Sequence, residues 1–458
     1  MIRRMFVASG LLSVTAIASW LLLATTPAQT PPIQPIPAPA LIAEPIAATA
    51  TPIIAPMVNP IQPATAIGNL NNPSAPQAPI QRYRDLANLP QLTRQMVQMT
   101  QRSSEWLFRF NQPNGRFLPG YLPAVNRPLE GDRFLTQATS AFALAKAARF
   151  TGDERYQVRA TMAVMNLLTE TRIDPTKPGM RFPAMPSMLS NRIAGAGMLV
   201  SAIAELSDPS PDMLARSEEL TTFILAMQQA DGSLHSTDTA EPSIQVDPTG
   251  INRFPAIALY GIMRSHTRQP NDSKLAAVKK ALPYYRDRFQ AEPRFDAIPW
   301  LSATCTELIV SSKDTTFVPF AIELNDRLCR TQYTELDSRN PLWFGGFRSL
   351  DKGESQATPP DAQAALAAMS LAEACRLCRH TADAQGYERY RAALVRSLQF
   401  LSTLQFNDDN AQHFAPSMRS LVIGGIHPTH LDGNLYVQDS AHGVLACVQF
   451  FTAGADRP

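Results

Sequence analysis

Two kinds of apolar segment alternate along the chain from about residue 82 onward. In the first kind, apolar residues recur every three or four positions and the opposite face is charged, as in LTRQMVQMTQRSSEWLFRF and DERYQVRATMAVMNLLTE. The second kind is apolar nearly all round and rich in Ala and Gly, as in LTQATSAFALAKAARF and RIAGAGMLVSAIAEL. A helix with a charged face lies at the surface, whereas a helix that is apolar all round is buried. The pattern therefore predicts an all-α domain with about six outer helices and about six inner helices.

Residues that favour turns and residues that favour helix N-termini recur between these segments. Asn-Gly and Asp-Gly favour turns because both residues tolerate positive φ. Several outer segments end in a Gln followed by a predicted turn, at Gln112, Gln229, Gln332 and Gln405, and the first two of these turns contain Asn-Gly or Asp-Gly. The inner segments follow an Asp or Asn that we predict to be the helix N-cap: Asp132, Asn191, Asn252, Asp296 and Asp361.

The Gln-x-x-Asp/Asn-Gly pattern, and Gly345-Gly346-Phe347 before an inner segment, resemble the repeats of the terpenoid cyclase and protein prenyltransferase superfamily. Many α/α-toroid glycoside hydrolases, polysaccharide lyases and uronyl epimerases share that architecture. The resemblance runs from about Leu86 to Phe451. It implies an (α/α)6-like toroid of about twelve helices in six hairpins. It also implies a pocket at the N-terminal ends of the inner helices.

The N-terminal part of the chain has a different composition. Residues 1–28 contain two arginines, an apolar run from Phe6 to about Ala24 and then small residues, which predicts a secretory signal peptide. An uncleaved membrane anchor is the alternative, because the apolar run is nearly long enough to span a bilayer. Residues 29–81 are rich in proline and almost uncharged, which predicts a disordered linker. The prediction is an exported toroid domain over 82–458 that is periplasmic, secreted or held at the cell surface.

The net charge argues against nucleic acid as a partner, and the cysteine content argues against a disulfide-stabilised fold. The net charge is +2 and no basic stripe is present, so the sequence does not favour nucleic acid as a partner. The five cysteines are sparse and odd in number, which is not the pattern of a disulfide framework. Cys375 and Cys378 form a C-x-x-C that falls within a helical pattern and is interpreted as part of a buried face. We expect no cofactor, no metal and a monomer, with membrane contact limited to an uncleaved N-terminal segment.

Arg133, Arg192 and Arg253 directly follow the predicted N-cap residues of three inner helices. Arginine is unfavourable there because the helix macrodipole is positive at the N-terminus. Three arginines at one end of a toroid therefore need anionic partners. Those partners can be structural carboxylates: Glu130, Asp132 or Asp247. The alternative is a pocket in which the arginines bind the carboxylate, sulfate or phosphate of a ligand.

Other polar residues are expected at the same end. We predict that the arginines are joined in substrate binding by Gln137, Asn252, Trp300, Gln363 and Gln438. The candidate catalytic residues are Asp132, Asp361, Tyr436 and His442. Gln438 and His442 are four residues apart and so share a helix face.

The candidate chemistry divides between two reaction types. Glycosidases need two carboxylates across the pocket, and the candidate pairs are Asp132 with Asp361 or Asp296 with Asp439. Lyases and epimerases acting on uronic acids need an Arg and a Tyr or His base, which the arginines and YVQDSAH supply. The H-x-x-H-x-D run from His427 to Asp432 is interpreted as a surface loop rather than a metal site.

Two reactions of the resembling superfamily are not supported. A prenyltransferase zinc site pairs Asp with Cys, whereas Asp361 is followed by Gln363. The nearest match to the cyclase Asp-rich motif is Asp408-Asp409, in a turn after an outer helix. The sequence favours a tethered toroid that binds, and cleaves or modifies, an anionic oligosaccharide or polysaccharide. A non-catalytic glycan- or protein-binding scaffold and a cyclase-like enzyme without the usual motifs are the alternatives.

Overall fold

The computed structural model describes residues 79–131, 133–184, 191–235, 250–348 and 357–457. The predicted signal segment and nearly all of the predicted linker lie outside these residues. Within the described ranges, no helix is both long and apolar enough to cross a membrane.

Thirteen α-helices lie in the described part of the chain, and twelve of them form two concentric sets. The inner set is α2 (Phe134–Thr151), α4 (Arg192–Glu205), α6 (Gly250–Arg268), α8 (Ile298–Ser312), α10 (Ala364–His380) and α13 (Val437–Thr452). The outer set is α1 (Gln91–Phe110), α3 (Glu154–Thr169), α5 (Pro211–Ala226), α7 (Asp272–Ala291), α9 (Val318–Arg330) and α11 (Ala384–Thr403). A short helix, α12 (Pro416–Val422), precedes α13.

The inner helices form a closed ring. Each packs against the next inner helix along the chain, and α13 packs against α2 and completes the circle. Each outer helix packs on the inner helix of its hairpin, with α1 pairing with α13. The predicted toroid of six hairpins is therefore confirmed, as is the assignment of the Ala- and Gly-rich segments to the inner set.

Inner helices α4 and α6 pack with their backbones in direct contact. A Cβ added to Gly197 would lie 2.8 Å from Ala258 Cα, and one added to Gly261 would overlap the backbone of Gly197. Glycine is required at this crossing because any side chain would force the two helices apart.

The two ends of the toroid differ. The inner helices all start at one end, which we call the mouth, and the long connections from outer to inner helices lie there. The inner helices end at the other end, the closed end, where short turns lead to the outer helices. At the mouth, β1 (Gly120–Leu122) pairs with β2 (Arg127–Pro128) and with β5 (Leu435–Tyr436), in an antiparallel register that joins Gly120 to Tyr436. Because β5 runs directly into α13, this sheet fixes the start of α13. A second antiparallel pair is formed by β3 (Thr171–Ile173) and β4 (Arg181–Pro183).

Four outer helices end in the same hydrogen-bonded turn. A side-chain amide at the helix end donates to the carbonyl of a glycine with positive φ; the pairs are Asn111 and Gly115, Gln228 and Gly232, Gln332 and Gly345, and Gln405 and Gly424. A Cβ on any of these glycines would overlap the backbone of a neighbouring outer helix. The repeated signature is thus a docking turn between outer helices. Gln332 and Gln405 are the predicted residues, whereas in the other two turns the active amide is one residue before Gln112 or Gln229.

We expect the Gln332→Leu variant to be destabilised. Gln332 Nε2 donates to Gly345 O at 3.0 Å and to Ala393 O at 2.9 Å, and the side chain is 7% exposed. Removing the donor leaves buried carbonyls unpaired, at a cost of about 1–3 kcal/mol. Urea denaturation measures the change. Gln229→Leu, at an exposed position in the matching turn, is the control and should change the free energy of unfolding by less than about 0.5 kcal/mol. Equal effects of the two substitutions would contradict the role of Gln332.

The predicted N-caps are only partly correct. Asn191 caps α4, because its Oδ1 accepts a hydrogen bond from Ala194 N at 3.1 Å. Asn252 was predicted wrongly, since α6 begins at Gly250 and Asn252 lies inside its first turn. Asp296 lies in a 3-10 turn before α8, and Asp361 lies in a turn before α10. Arg133 rather than Asp132, which is outside the described residues, is the N-cap of α2. The connections that pack over these starts set where each helix begins.

A closed circuit of polar side chains joins all six inner helices near the closed end. We call this circuit the ionic ring. Its contacts are Lys146–Glu205 at 3.8 Å, Glu205–Arg264 at 2.8 Å, Arg264–Glu307 at 3.3 Å, Glu307–Arg376 at 3.0 Å, Arg376–Glu373 at 3.2 Å, Glu373–Gln449 at 2.6 Å and Gln449–Lys146 at 3.4 Å. Each member lies about two to four turns after the start of its helix.

Aromatic rings from three inner helices lie next to the ionic ring. Phe142 of α2 is 6.2 Å from Tyr260 of α6, and Tyr260 is 5.5 Å from Trp300 of α8, between ring centroids. The Lys146 ammonium lies 5.5 Å from the Phe142 ring. Since α2 and α8 lie on opposite sides of the ring of helices, these side chains extend across the bore. We call them the aromatic floor.

Candidate functional site

A cavity of about 470 Å³ opens at the mouth, between the start of α2 and the start of α13. Arg133, Thr136, Tyr436, Gln438 and Asp439 are among the residues that line it. A larger cavity of about 600 Å³ lies on the outer surface near Tyr83. Its charged groups include Arg155, which pairs with Glu105 at 3.3 Å and Asp153 at 2.8 Å. The mouth cavity, where predicted polar residues converge, is the better candidate site.

Four residues predicted to be catalytic or substrate-binding line the mouth cavity: Arg133, Gln137, Tyr436 and Gln438. Gln137 and Gln438 already form hydrogen bonds within the protein. Arg133 is exposed, and Tyr436 is 37% exposed at the end of β5. Thr136 Oγ1 donates to Gln438 Oε1 at 3.3 Å. Gln137 is buried, and its amide both accepts from Phe117 N and donates to Phe117 O, each at 2.8 Å. Gln137 therefore holds the connection after α1 against α2.

Asp439 carries the strongest electrostatic perturbation in the cavity. Its carboxyl lies in the first turn of α13, where burial and the negative charges of Asp361 and Asp432 raise its pKa to about 7. The carboxyl of Asp439 is therefore partly protonated near neutral pH. A carboxylic acid that keeps its proton at this pH can act as a general acid.

The two neighbouring carboxylates come from connections at the mouth. Asp361 Oδ1 accepts from Gln363 N at 2.9 Å, and Gln363 Nε2 lies 3.4 Å from Asp361 Oδ2. Ala362 N donates to Pro428 O at 2.8 Å, which joins this turn to the connection that contains Asp432. Asp432 Oδ1 accepts from Asn434 N at 3.0 Å.

The structure pairs these carboxylates differently from the sequence-based alternatives. Asp439 interacts with Asp361, not with Asp296, whose carboxylate lies 3.8 Å from Arg294. Asp132, the other predicted partner of Asp361, lies outside the described residues. The sequence offered Asp439 only as the partner of Asp296, and it was not among the four residues predicted to be catalytic.

His442 and Arg253 lie deeper in the bore. His442 is one turn below Asp439 on α13 and is buried. Burial and the positive charge of Arg253 lower the pKa of His442 to about 3, so that its imidazole is neutral at physiological pH. Arg253 belongs to the first turn of α6, and its Nε is buried without a hydrogen-bond partner.

The remaining predicted residues lie around these groups. The Arg192 guanidinium lies over the Phe182 ring at 4.9 Å, and burial and Arg172 lower its pKa. Trp300 is 1% exposed in the first turn of α8, and its Nε1 is buried without a partner. The backbone of Asn252 lies in the first turn of α6. Of the suggested structural partners for the arginines, Glu130 lines the mouth cavity, while Asp132 and Asp247 lie outside the described residues.

The histidines beside the mouth are held by the protein itself. His427 Nδ1 lies 2.7 Å from Thr429 O, and His430 Nε2 lies 2.9 Å from Thr403 Oγ1. His427 is buried, whereas the sequence suggested a surface loop. No group of three or more His, Cys, Asp or Glu side chains that could hold a metal ion is found among the described residues. All five cysteines are free thiols, and Cys375 and Cys378 are buried on α10.

Comparisons with known proteins place the fold. No family model matches the chain, and a search of curated proteins finds no significant match. Among solved structures, an unsaturated glucuronyl hydrolase specific for heparin is 12% identical with a TM-score of 0.55, and the match covers 78% of this chain and 97% of that one. An α-1,6-mannanase from Salegentibacter sp. is 12% identical with a TM-score of 0.54, covering 78% and 99%. Cellobiose 2-epimerase from Bacillus thermoamylovorans is 10% identical with a TM-score of 0.57, covering 79% and 98%. The chain therefore has the (α/α)6-toroid fold of these glycosidase- and epimerase-type structures.

Proposed function

We propose that the protein is a carbohydrate-active enzyme that hydrolyses a glycosidic bond at the mouth of the toroid. The single observation that carries this proposal is the carboxyl of Asp439, which lines the mouth cavity and whose pKa is raised to about 7 by burial and by the charges of Asp361 and Asp432. Two carboxyl groups with different proton affinities are the arrangement that glycoside hydrolysis needs. Solved structures with this fold include glycosidases, which supports a carbohydrate as the substrate class.

In the proposed reaction, Asp439 donates its proton to the glycosidic oxygen as the bond to the anomeric carbon breaks. Asp361 accepts a proton from the water molecule whose oxygen bonds to that carbon. The products are two sugars with free hydroxyl groups. Asp361 then releases its proton to solvent, and Asp439 is reprotonated from solvent. Gln438 and Tyr436 line the same cavity and are placed to hydrogen-bond sugar hydroxyls.

The proposed substrate is an acidic oligosaccharide or polysaccharide. Arg133 is exposed at the rim of the cavity, and its charge favours a carboxylate or sulfate group on the bound sugar. Export and tethering through residues 1–81 are part of the same proposal. Tyr83 packs against Phe150 and Phe451, at the ends of α2 and α13, so the chain meets the toroid at the closed end.

A panel of neutral, uronic and sulfated oligosaccharides tests the proposal on the purified chain. Hydrolysis produces new reducing ends, whereas elimination produces an unsaturated sugar that absorbs in the ultraviolet. We expect hydrolysis, and we expect Asp361→Asn to lower kcat about 100- to 10,000-fold. Asp212→Asn, at an exposed position on α5, should leave kcat unchanged. Detection of unsaturated products would show that the bond is cleaved by elimination and not by hydrolysis. Binding without turnover would favour a non-catalytic glycan-binding scaffold.

A further inference from the structure

The inner helices present two buried donors without acceptors at one level of the bore. Arg253 Nε and Trp300 Nε1 are both buried and have no hydrogen-bond partner. They belong to the first turns of α6 and α8, which are neighbours in the ring of helices. Buried polar groups in native proteins are nearly always hydrogen-bonded, so two orphan donors on adjacent helices indicate that an acceptor is supplied from outside the chain.

The charge at this level is also unbalanced. No acidic side chain in the described ranges forms an ion pair with Arg253. His442 lies on α13, and α13 is separated from α6 by two inner helices in either direction around the ring. The charge of Arg253 nevertheless lowers the pKa of His442, so the two side chains approach each other across the bore. The neutral imidazole does not compensate the guanidinium, whose Nε is buried, and desolvating part of a charged group without an anionic partner is costly.

The aromatic floor fills the bore on one side of these groups, and the carboxylates at the mouth lie on the other. Trp300 is itself part of the aromatic floor, and the ionic ring lies beyond the floor. On the mouth side, Asp439 precedes His442 by one turn of α13 and borders the open cavity. The charges that raise the pKa of Asp439 are those of Asp361 and Asp432. These three side chains, which we call the mouth carboxylates, interact with one another and not with Arg253. A ligand that enters from the mouth meets the carboxylates first and the arginine below them.

We propose that Arg253 and Trp300, with His442 across the bore, form an inner subsite that binds the carboxylate or sulfate group of an acidic sugar. The guanidinium supplies two parallel N–H donors in the geometry of a carboxylate. Trp300 Nε1 supplies a third donor, and the neutral imidazole can hydrogen-bond a sugar hydroxyl. This inference rests on the proposed carbohydrate function and names the part of the substrate that determines specificity.

Binding measured without turnover tests the subsite. Isothermal titration of the full chain uses glucose, glucuronate and glucose 6-sulfate as probes. The wild-type chain should bind one or both acidic sugars more tightly than glucose, and which of the two it prefers identifies the anionic group. Arg253→Met should weaken acidic-sugar binding about 10- to 100-fold and leave glucose binding unchanged. Trp300→Phe keeps the ring of the floor and removes only the donor, so it should weaken the same binding several-fold.

Arg268→Met is the matched control, because Arg268 is an exposed arginine in the last turn of the same helix. It should preserve the preference for acidic sugars. Equal affinity of the wild-type chain for glucose and both acidic sugars would overturn the subsite while leaving carbohydrate hydrolysis in place. Retention of the preference in both Arg253→Met and Trp300→Phe would also overturn it. Failure to bind any sugar, together with no hydrolysis of any glycan, would overturn both proposals.

Discussion

Replacing Asp439 with Asn is expected to lower kcat about 100- to 10,000-fold, because the variant has no proton to give to the leaving oxygen. The substitution keeps the size of the side chain, so the mouth cavity and sugar binding should be preserved. Wild-type activity should fall as pH rises through about 7, where Asp439 loses its proton. Residual activity of the variant should lack this dependence. A pH–rate profile of the two chains measures both effects.

Although Asp439→Asn should lower activity, it should raise the stability of the folded state at alkaline pH. Burial and neighbouring carboxylates raise the pKa of Asp439 to about 7 in the folded state, against about 3.9 for an Asp in an unfolded chain. The folded state therefore holds the proton more tightly, and stability is lost as pH rises from about 4 through 7. Asp439→Asn should melt at a higher temperature than the wild type at pH 8, with a smaller difference at pH 5. An active variant, or one that melts lower at pH 8, would contradict the assignment of Asp439 as a buried acid.

Asp432→Asn provides a second control for this interpretation. It removes one of the negative charges that raise the pKa of Asp439 and leaves the proton donor in place. We expect the alkaline limb of the pH–rate profile to move to lower pH, with kcat at its optimum largely retained. An unchanged profile would mean that Asp432 does not act on the proton donor.

Breaking the ionic ring at Glu307 is expected to cost about 3–5 kcal/mol. Glu307 is buried and pairs with both Arg264 and Arg376. Burial by itself would raise its pKa, but the two guanidinium groups outweigh burial and lower it to about 2. Glu307→Ala leaves these guanidinium groups with less negative charge and opens a cavity beside the aromatic floor. Urea denaturation followed by helical circular dichroism measures the loss.

A double variant separates the lost charge from the lost volume. Glu307→Leu with Arg264→Met removes one charge of each sign; Glu205 keeps Lys146 and Arg149 as partners, and Arg376 keeps Glu373. Replacing a buried ion pair with apolar groups is often neutral, so much of the stability should return. Asp212→Ala breaks an exposed pair with Arg216 at 3.0 Å and should cost less than about 1 kcal/mol. If Glu307→Ala is as mild as Asp212→Ala, the ionic ring does not hold the closed end.

The mouth carboxylates and the ionic ring differ in how far the sequence revealed them. Asp361 was identified because it directly precedes an inner helix. The choice of Asp439 as its partner could not be made, because the sequence does not determine which acidic side chains converge at the mouth. The charged residues of the ionic ring are single interruptions in apolar helices, such as Glu205 and Arg264. Their pattern along the chain does not identify partners, which come from different helices.

What the sequence determined by itself is local. Apolar periodicity separated inner from outer helices, because burial on one face or all round is encoded in each segment. The Gln at the ends of outer helices was readable as a repeated signature, and the cap at Asn191 was readable because its hydrogen bond joins residues three apart. Only the tertiary structure decided the rest. The side-chain amide of Gln137 forms hydrogen bonds with the backbone of Phe117, and the charge of Arg253 acts on the imidazole of His442. Those outcomes depend on distances between segments far apart in the chain, which are set when the ring of helices closes.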